Sequence, residues 1–221
     1  MKMPLAKLAS TTLALALLTS CATHPTQPTS QVESAPVTPE EAAYRAAIEK
    51  RTADILALLD INDPKRSAKV HDIIVAQYRA LRDWHDANDA RLKSATAEDS
   101  QQIKASLRKL HEKFIANLSA NLTSAQVEKV KDKMTYNKVQ VTYNGYVEML
   151  PTLTEPQKAK IMAWLIEARE EAMDGGSAEE KSAIFNRYKG KINNCLSAEG
   201  HDLKQASKDW NERLKAREGK K

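Results

Sequence analysis

Four stretches carry side chains whose types and spacing could do chemistry. In the first, Tyr136, Asn137, Tyr143, Asn144 and Tyr146 mix aromatic rings with amides. Rings stack on the C–H edges of a sugar while amides exchange hydrogen bonds with its hydroxyls, so the mixture suits carbohydrate. Packed tyrosines with loop asparagines are the plainer alternative. In the second, Asn193-Asn194 precede Gly200, His201 and Asp202. Asparagine is a poor helix former, so a pair near a helix end either caps backbone groups or performs a fixed task. The third, Glu167, Arg169, Glu170, Glu171 and Asp174, puts several carboxylates on one helix. Glycoside hydrolysis needs two facing carboxylates roughly 5–10 Å apart, normally from different elements, which one acidic helix does not establish. The fourth, Arg82, His85, Asp86 and Asp89, reads first as a solvated helix face with internal ion pairs.

Other chemistry finds no foothold. Nothing matches a nucleophile elbow, a phosphate-binding loop, a dinucleotide fingerprint or a zinc spacing. No two of the five histidines stand three or four residues apart, so neither a metal nor a cofactor is expected. Cys195 reads as a small buried apolar residue rather than a nucleophile.

The elements that must hold these residues are helical. In 221 residues charged side chains make up 29%, aromatics 5%, and glycine occurs only six times. Leu, Ala, Lys and Glu dominate and β-branched runs are scarce, which favours an all-α protein. Helix starts are legible at Thr38-Pro39-Glu40-Glu41, at Asn62-Asp63-Pro64, at Thr96 with Asp99, and at Ser177 with Glu180. Leu122-Thr123-Ser124-Ala125-Gln126 and Leu153-Thr154-Glu155-Pro156-Gln157 repeat one start signal, and Leu122 can staple onto Val127. Gly175-Gly176 and Gly200 read as helix stops. Apolar stripes run through Val70, Ile73, Ile74, Tyr78, Leu81 and Trp84, then through Ile103, Leu107, Leu110, Phe114 and Leu118, predicting an antiparallel pair. Residues 135–145, where Val139, Val141 and Tyr143 alternate, read equally as a short extended segment or a broken helix.

The N-terminus carries the most specific signal. Lys2 and Lys7 precede an apolar run, Leu8 to Leu18, too short to span a bilayer as a helix. Leu18-Thr19-Ser20-Cys21 resembles the bacterial lipobox, which implies that the Cys21 thiol takes a diacylglycerol and becomes the first residue of the mature chain. Ala22 follows rather than aspartate, so in a Gram-negative source outer-membrane attachment is expected. Residues 22–37, rich in Pro, Thr, Ser and Gln, read as a flexible tether. Loss of the leader removes two cations from a formal charge of +5, and no groove-reading arginine stripe is visible. No nucleic-acid partner is expected.

Two resemblances add to this. The segment AREEAMDGGSAEEKSAIFNRYKGKINNCLSAEGHDL, together with Lys131-Asp132-Lys133-Met134-Thr135-Tyr136, resembles an uncharacterised family of secreted bacterial helical proteins for which sugar binding has been suggested. The likeness covers the mature domain and implies a link to polysaccharide use. Where relatives carry tyrosines this chain has Cys195 and His201, which weighs against a catalytic Cys195. The two Leu-Thr-x-x-Gln starts are similar to the hallmark of the Spy/CpxP periplasmic chaperone and stress-regulator family.

The expectation is therefore an all-α protein, monomeric or weakly dimeric: a lipoprotein leader over 1–20, a tether over 21–37, one bundle of about six to seven helices over 38–216, and a basic tail over 217–221. It is anchored to the cell envelope through Cys21, facing the periplasm or exterior. Non-catalytic carbohydrate binding is the first functional reading, with Asn193, Asn194, Asp202, Tyr136, Tyr143 and Arg169 meeting in one cleft. A chaperone holding a protein client is the second. An enzyme acting on glycans through Glu167, Glu170 and Asp86 is the third.

Overall fold

The computed structural model describes residues 38–218. The leader, the lipid-accepting Cys21, the tether and residues 219–221 lie outside them. The described residues form eight helices and no strand: α1 (Pro39–Leu56), α2 (Pro64–Ser94), α3 (Ala97–Ser119), α4 (Ser124–Met134), α5 (Lys138–Met149), α6 (Glu155–Met173), α7 (Ala178–Ala198) and α8 (Leu203–Glu218). No described helix is long and apolar enough to cross a membrane.

Short polar side chains set the helix starts, because the first turn leaves backbone N–H groups without partners. Thr38, Asp63, Thr96, Thr123, Thr154 and Ser177 each accept such a bond. At Thr123 and Thr154 the reciprocal bond from the glutamine three residues on is also made. Two expected boxes are spent differently. Glu41 turns its carboxylate to Arg45 (2.7 Å) and Arg82 (2.6 Å), which ties α1 to α2. Glu180 accepts from Gly176 N–H at 2.8 Å, one residue before the cap.

Residues 135–145 resolve in favour of helix. Val139, Tyr146 and Leu150 are buried while Val141 is 67% exposed, a helical rather than an alternating pattern. The break that precedes α5 is a Schellman turn: Asn137 N–H bonds Asp132 O (2.7 Å) and Tyr136 N–H bonds Lys133 O (3.2 Å). Tyr136 (φ 59°) and Asn137 (φ 55°) both sit in the left-handed region. The same motif ends α7, where Gly200 (φ 93°) takes that conformation and His201 N–H bonds Leu196 O. Helix α6 ends just before Gly175 and Gly176, as expected, though neither glycine has a positive φ. A Cβ on Gly176 would lie 2.8 Å from the His85 ring, so close approach is what that position requires.

The apolar residues gather in two clusters. Ile55, Val70, Ile74, Phe114, Leu118 and Val130 belong to one, built from α1 to α4. Ile161, Leu165, Ala168, Phe185, Ile192 and Leu196 belong to the other, built from α5 to α7. Helix α6 serves both, because Met173 at its end packs in the first cluster. Among the described residues helix α8 has no fully buried side chain. It rests Leu203 and Ala206 on the second cluster and bonds Glu148 and Met149 through Trp210 and Arg213.

One buried atom stands out. The Thr52 hydroxyl, on a residue 0% exposed, has no hydrogen-bond partner among the described residues. Thr52→Val keeps the shape and removes the orphaned group, so denaturant unfolding of the variant is expected to show a gain of about 1 kcal/mol. A loss of stability would mean that the hydroxyl is satisfied.

Candidate functional site

A cleft of about 590 Å³ lies between the α2–α3 hairpin and the turn joining α6 to α7. It exists because α3 packs chiefly on α2 and α4 and stands away from α7. Leu107, expected in the core, is only half-buried and lines the cleft with Leu92 and Ile184. Trp84 also lines it. Its indole N–H donates to Ser106 Oγ at 2.7 Å, and its ring meets the His85 ring edge-on at 5.0 Å.

Two histidines pin the turn. His85, buried on α2, faces Asp89 Oδ1 through Nδ1 (2.9 Å) and the Asp174 carbonyl through Nε2 (2.8 Å). Both partners can only accept, so both ring nitrogens must donate and the ring is an imidazolium. Burial works against that charge, but the bonds to Asp174 O and Asp89 outweigh it and raise the pKa. His111 on α3 meets the Asp174 carboxylate at 3.0 Å, which raises its pKa despite burial, with Glu170 3.7 Å from the other nitrogen. Asp174 thus receives one histidine on its backbone and another on its side chain.

The remaining charged groups of the cleft are positioned too. Glu171 pairs with Arg187 across α6 and α7, and Glu180 accepts from the Gly176 N–H. Each of the four carboxylates, Asp89, Glu171, Asp174 and Glu180, therefore accepts from a donor within the protein. Arg108 joins the cleft to a shallower hollow beside it, where His111 and Glu170 sit. Among the described residues no three His, Cys, Asp or Glu side chains are grouped to hold a metal ion.

The residues singled out from the sequence do not share one cavity. Tyr136, 47% exposed, lines a separate cavity near α1 and α2. Asn193 lines an open hollow with Trp210, and its Oδ1 accepts from Tyr146 OH at 2.6 Å. Asn194 is exposed. Asp202 caps α8 by accepting from Gln205 N–H at 2.9 Å. Tyr143 packs against the second core. Arg169 is 4% exposed and its guanidinium is taken up by Glu128, Asp132 and Glu170 inside the molecule. Of the carboxylates considered for catalysis, Glu167 faces solvent 3.6 Å from Lys191, Asp86 is exposed, and Glu170 belongs mainly to the Arg169 network. Cys195 is half-buried rather than buried, with Lys160 Nζ 3.0 Å from its sulfur and Glu199 3.1 Å away.

Several cleft residues were visible only as something else. Trp84 fell on the apolar stripe of α2, Glu180 read as a cap, and Arg108 and Arg187 carried no signal. His85 and Asp89 stood in a cluster read first as a solvated face, and Asp174 among the carboxylates weighed for glycoside hydrolysis. Only tertiary contact separates a pinned imidazolium from a solvated one.

The raised histidine pKa values carry a sign. Each contribution is complete below the ordinary value of 6.5 and is lost as pH rises through the higher folded-state value. Unfolding free energy is therefore expected to fall as pH rises above the ordinary value of 6.5, and His85→Asn with His111→Asn should flatten the fall. Some slope remains through His71, whose pKa is raised by Asp72 and Glu49. An unchanged profile in the double variant would show that the two rings do not hold the turn by charge.

The chain has no match among the curated proteins. Residues 45–216, more than half of its length, match the model of the family described as "Protein of unknown function (DUF3826)", and the chain belongs to that family.

Proposed function

We propose that the protein binds a carbohydrate without transforming it, in the cleft between the α2–α3 hairpin and the α6–α7 turn. The observation that carries this reading is the cleft itself, which brings an indole and planar charged groups to one space of about 590 Å³. That volume falls in the roughly 300–1,000 Å³ span of small-ligand clefts. An indole offers a flat apolar face to sugar C–H groups, while carboxylates and guanidinium groups take hydroxyls in pairs. The carboxylates are already held by protein donors, which favours fixed acceptors over a mobile proton donor.

A client-holding role draws less support. The exposed large apolar residues Leu58, Tyr136, Val141 and Ile166 lie on different elements, whereas a chaperone surface needs a contiguous patch. Both Leu-Thr-x-x-Gln starts are spent on helix caps.

Calorimetric titration of the full chain carrying Cys21→Ser against a panel of plant and host polysaccharide fragments tests the proposal. Trp84→Ala is expected to weaken the best ligand about tenfold, the equivalent of roughly 1.4 kcal/mol. Asn194→Ala, altered at an exposed position outside the cleft, should bind as wild type. Failure of every glycan to bind, or a Trp84→Ala variant that binds normally, would refute the assignment.

The lipobox resemblance at residues 18–21 extends the reading to location. The protein works as an envelope lipoprotein whose acylated Cys21 holds it at the membrane. In a bacterial host, wild type is expected to take up labelled palmitate and enter the detergent phase. Cys21→Ser should do neither, and an unlabelled wild type would rule the anchor out.

A further inference from the structure

A second cavity, of about 190 Å³, lies apart from the cleft, between α1, α2, the turn after α4 and the start of α7. Three cations line it: Arg51, Lys133 and Lys181. The carboxylate beside them, Asp54, pairs with Lys50 at 3.4 Å, and none of the three cations has an ion-pair partner within 4.0 Å among the described residues. Lys181 is only 6% exposed. Its ammonium group reaches the carbonyls of Met134 and Met173, both at a long 3.3 Å, and these are neutral acceptors. A buried ammonium with no counter-charge is costly, and two further cations around the same space add to that cost. Burial, and then the Arg51 guanidinium, push Lys181 down to about 8, against the pull of Asp174 and Glu180.

The wall facing these cations is aromatic and strained. Tyr136 occupies the left-handed position of the Schellman turn, which glycine fills at the end of α7. A bulky residue there carries backbone strain that glycine would relieve, and the position delivers its ring to the cavity. Tyr78 forms the other aromatic wall, and burial pushes its hydroxyl up to about 12, so it stays a hydrogen-bond donor. Ile55 and Met134 add apolar surface.

From this juxtaposition we infer that the cavity of Arg51, Lys133, Lys181, Tyr78 and Tyr136 binds an organic oxyanion of monosaccharide size, its carboxylate or phosphate held by the cations and its body held against the tyrosines. Arg51 supplies a planar fork matched to two oxyanion oxygens, and the lysines supply point charges. The ligand thereby furnishes the counter-charge that the protein lacks. The site is independent of the carbohydrate cleft and does not rest on that assignment.

Titration calorimetry of the full chain with D-glucuronate, D-glucose 6-phosphate, inorganic phosphate and D-glucose tests it. Glucuronate, glucose 6-phosphate or both are expected to bind, the preferred one telling carboxylate from phosphate, and glucose is not. Arg51→Gln and Lys181→Met should each weaken binding at least tenfold, and affinity should fall as salt rises. Lys181→Met removes an unpaired buried charge and keeps the volume, so it is expected to fold. Tyr136→Gly leaves the turn easier to form and should also weaken binding. Near pH 8 the bound anion restores the Lys181 proton, so binding should take up protons, measured by comparing buffers of different ionisation enthalpy. The inference is overturned if neither sugar acid binds, if both variants of the cations bind as wild type, or if inorganic phosphate binds as tightly as the sugar acids, leaving the tyrosine wall without a part.

Discussion

The guanidinium of Arg169 is the constraint on which the arrangement depends. It sits on α6 at the seam between the two apolar clusters and reaches Asp132 (2.7 Å) and Glu128 (2.5 Å) on α4, with Glu170 beside it. Burial disfavours its charge, yet Asp132 and Glu128 hold it firmly protonated. Lys131 adds a second cation, 3.1 Å from Glu170. Arg169 is buried while Glu128 and Asp132 keep contact with water, so losing one carboxylate strands part of a buried charge and costs less than breaking a fully buried pair. Apolar packing alone would let α6 slide on α4, whereas a forked donor between two carboxylates one helical turn apart admits one register. The register of α6 then decides where Asp174 arrives, and with it whether the histidines of α2 and α3 find their acceptors.

The cleft follows from that register. Helices α2 and α3 form a hairpin across the short turn at Ala95 and Thr96, as the Trp84–Ser106 bond shows. His85 and His111 fasten it at the α6–α7 turn, and past that point nothing fills the space between it and α7. Gly176 is part of the fastening, since no side chain fits between the turn and the His85 ring.

Much of the fold is written locally. Six of the eight helix starts announced themselves through a residue that satisfies its own backbone, α5 having no such cap, and the buried positions of α2 followed from apolar spacing. What stayed illegible or open shares a cause. Gly175-Gly176 marked the end of α6 correctly, but the close approach of Gly176 to an imidazole from a helix about ninety residues away is something no local pattern encodes. Val139, Val141 and Tyr143 alternate over too few residues to outweigh the seven-residue spacing of Val139 and Tyr146. The site was the least legible part. Asn193, Asn194 and Asp202 were conspicuous by type, yet two of the three serve a tyrosine hydroxyl and a helix cap. Trp84 was inconspicuous because an indole beside a cleft and an indole in a core occupy the same position on a helical wheel.

Helix α8 has a consequence of another kind. Its links to the body are a few half-buried side chains and bonds from Trp210 and Arg213 to the end of α5, all reachable by water. Detaching it uncovers one flank of the second cluster but leaves both clusters and the Arg169 bridge assembled, so it forms a separate cooperative unit at the low end of the stability range. Amide protons there exchange by this local opening and report little about global unfolding. Trp210 rides on that unit, so its fluorescence follows docking of the last helix, while Trp84 and Trp164 follow the rest.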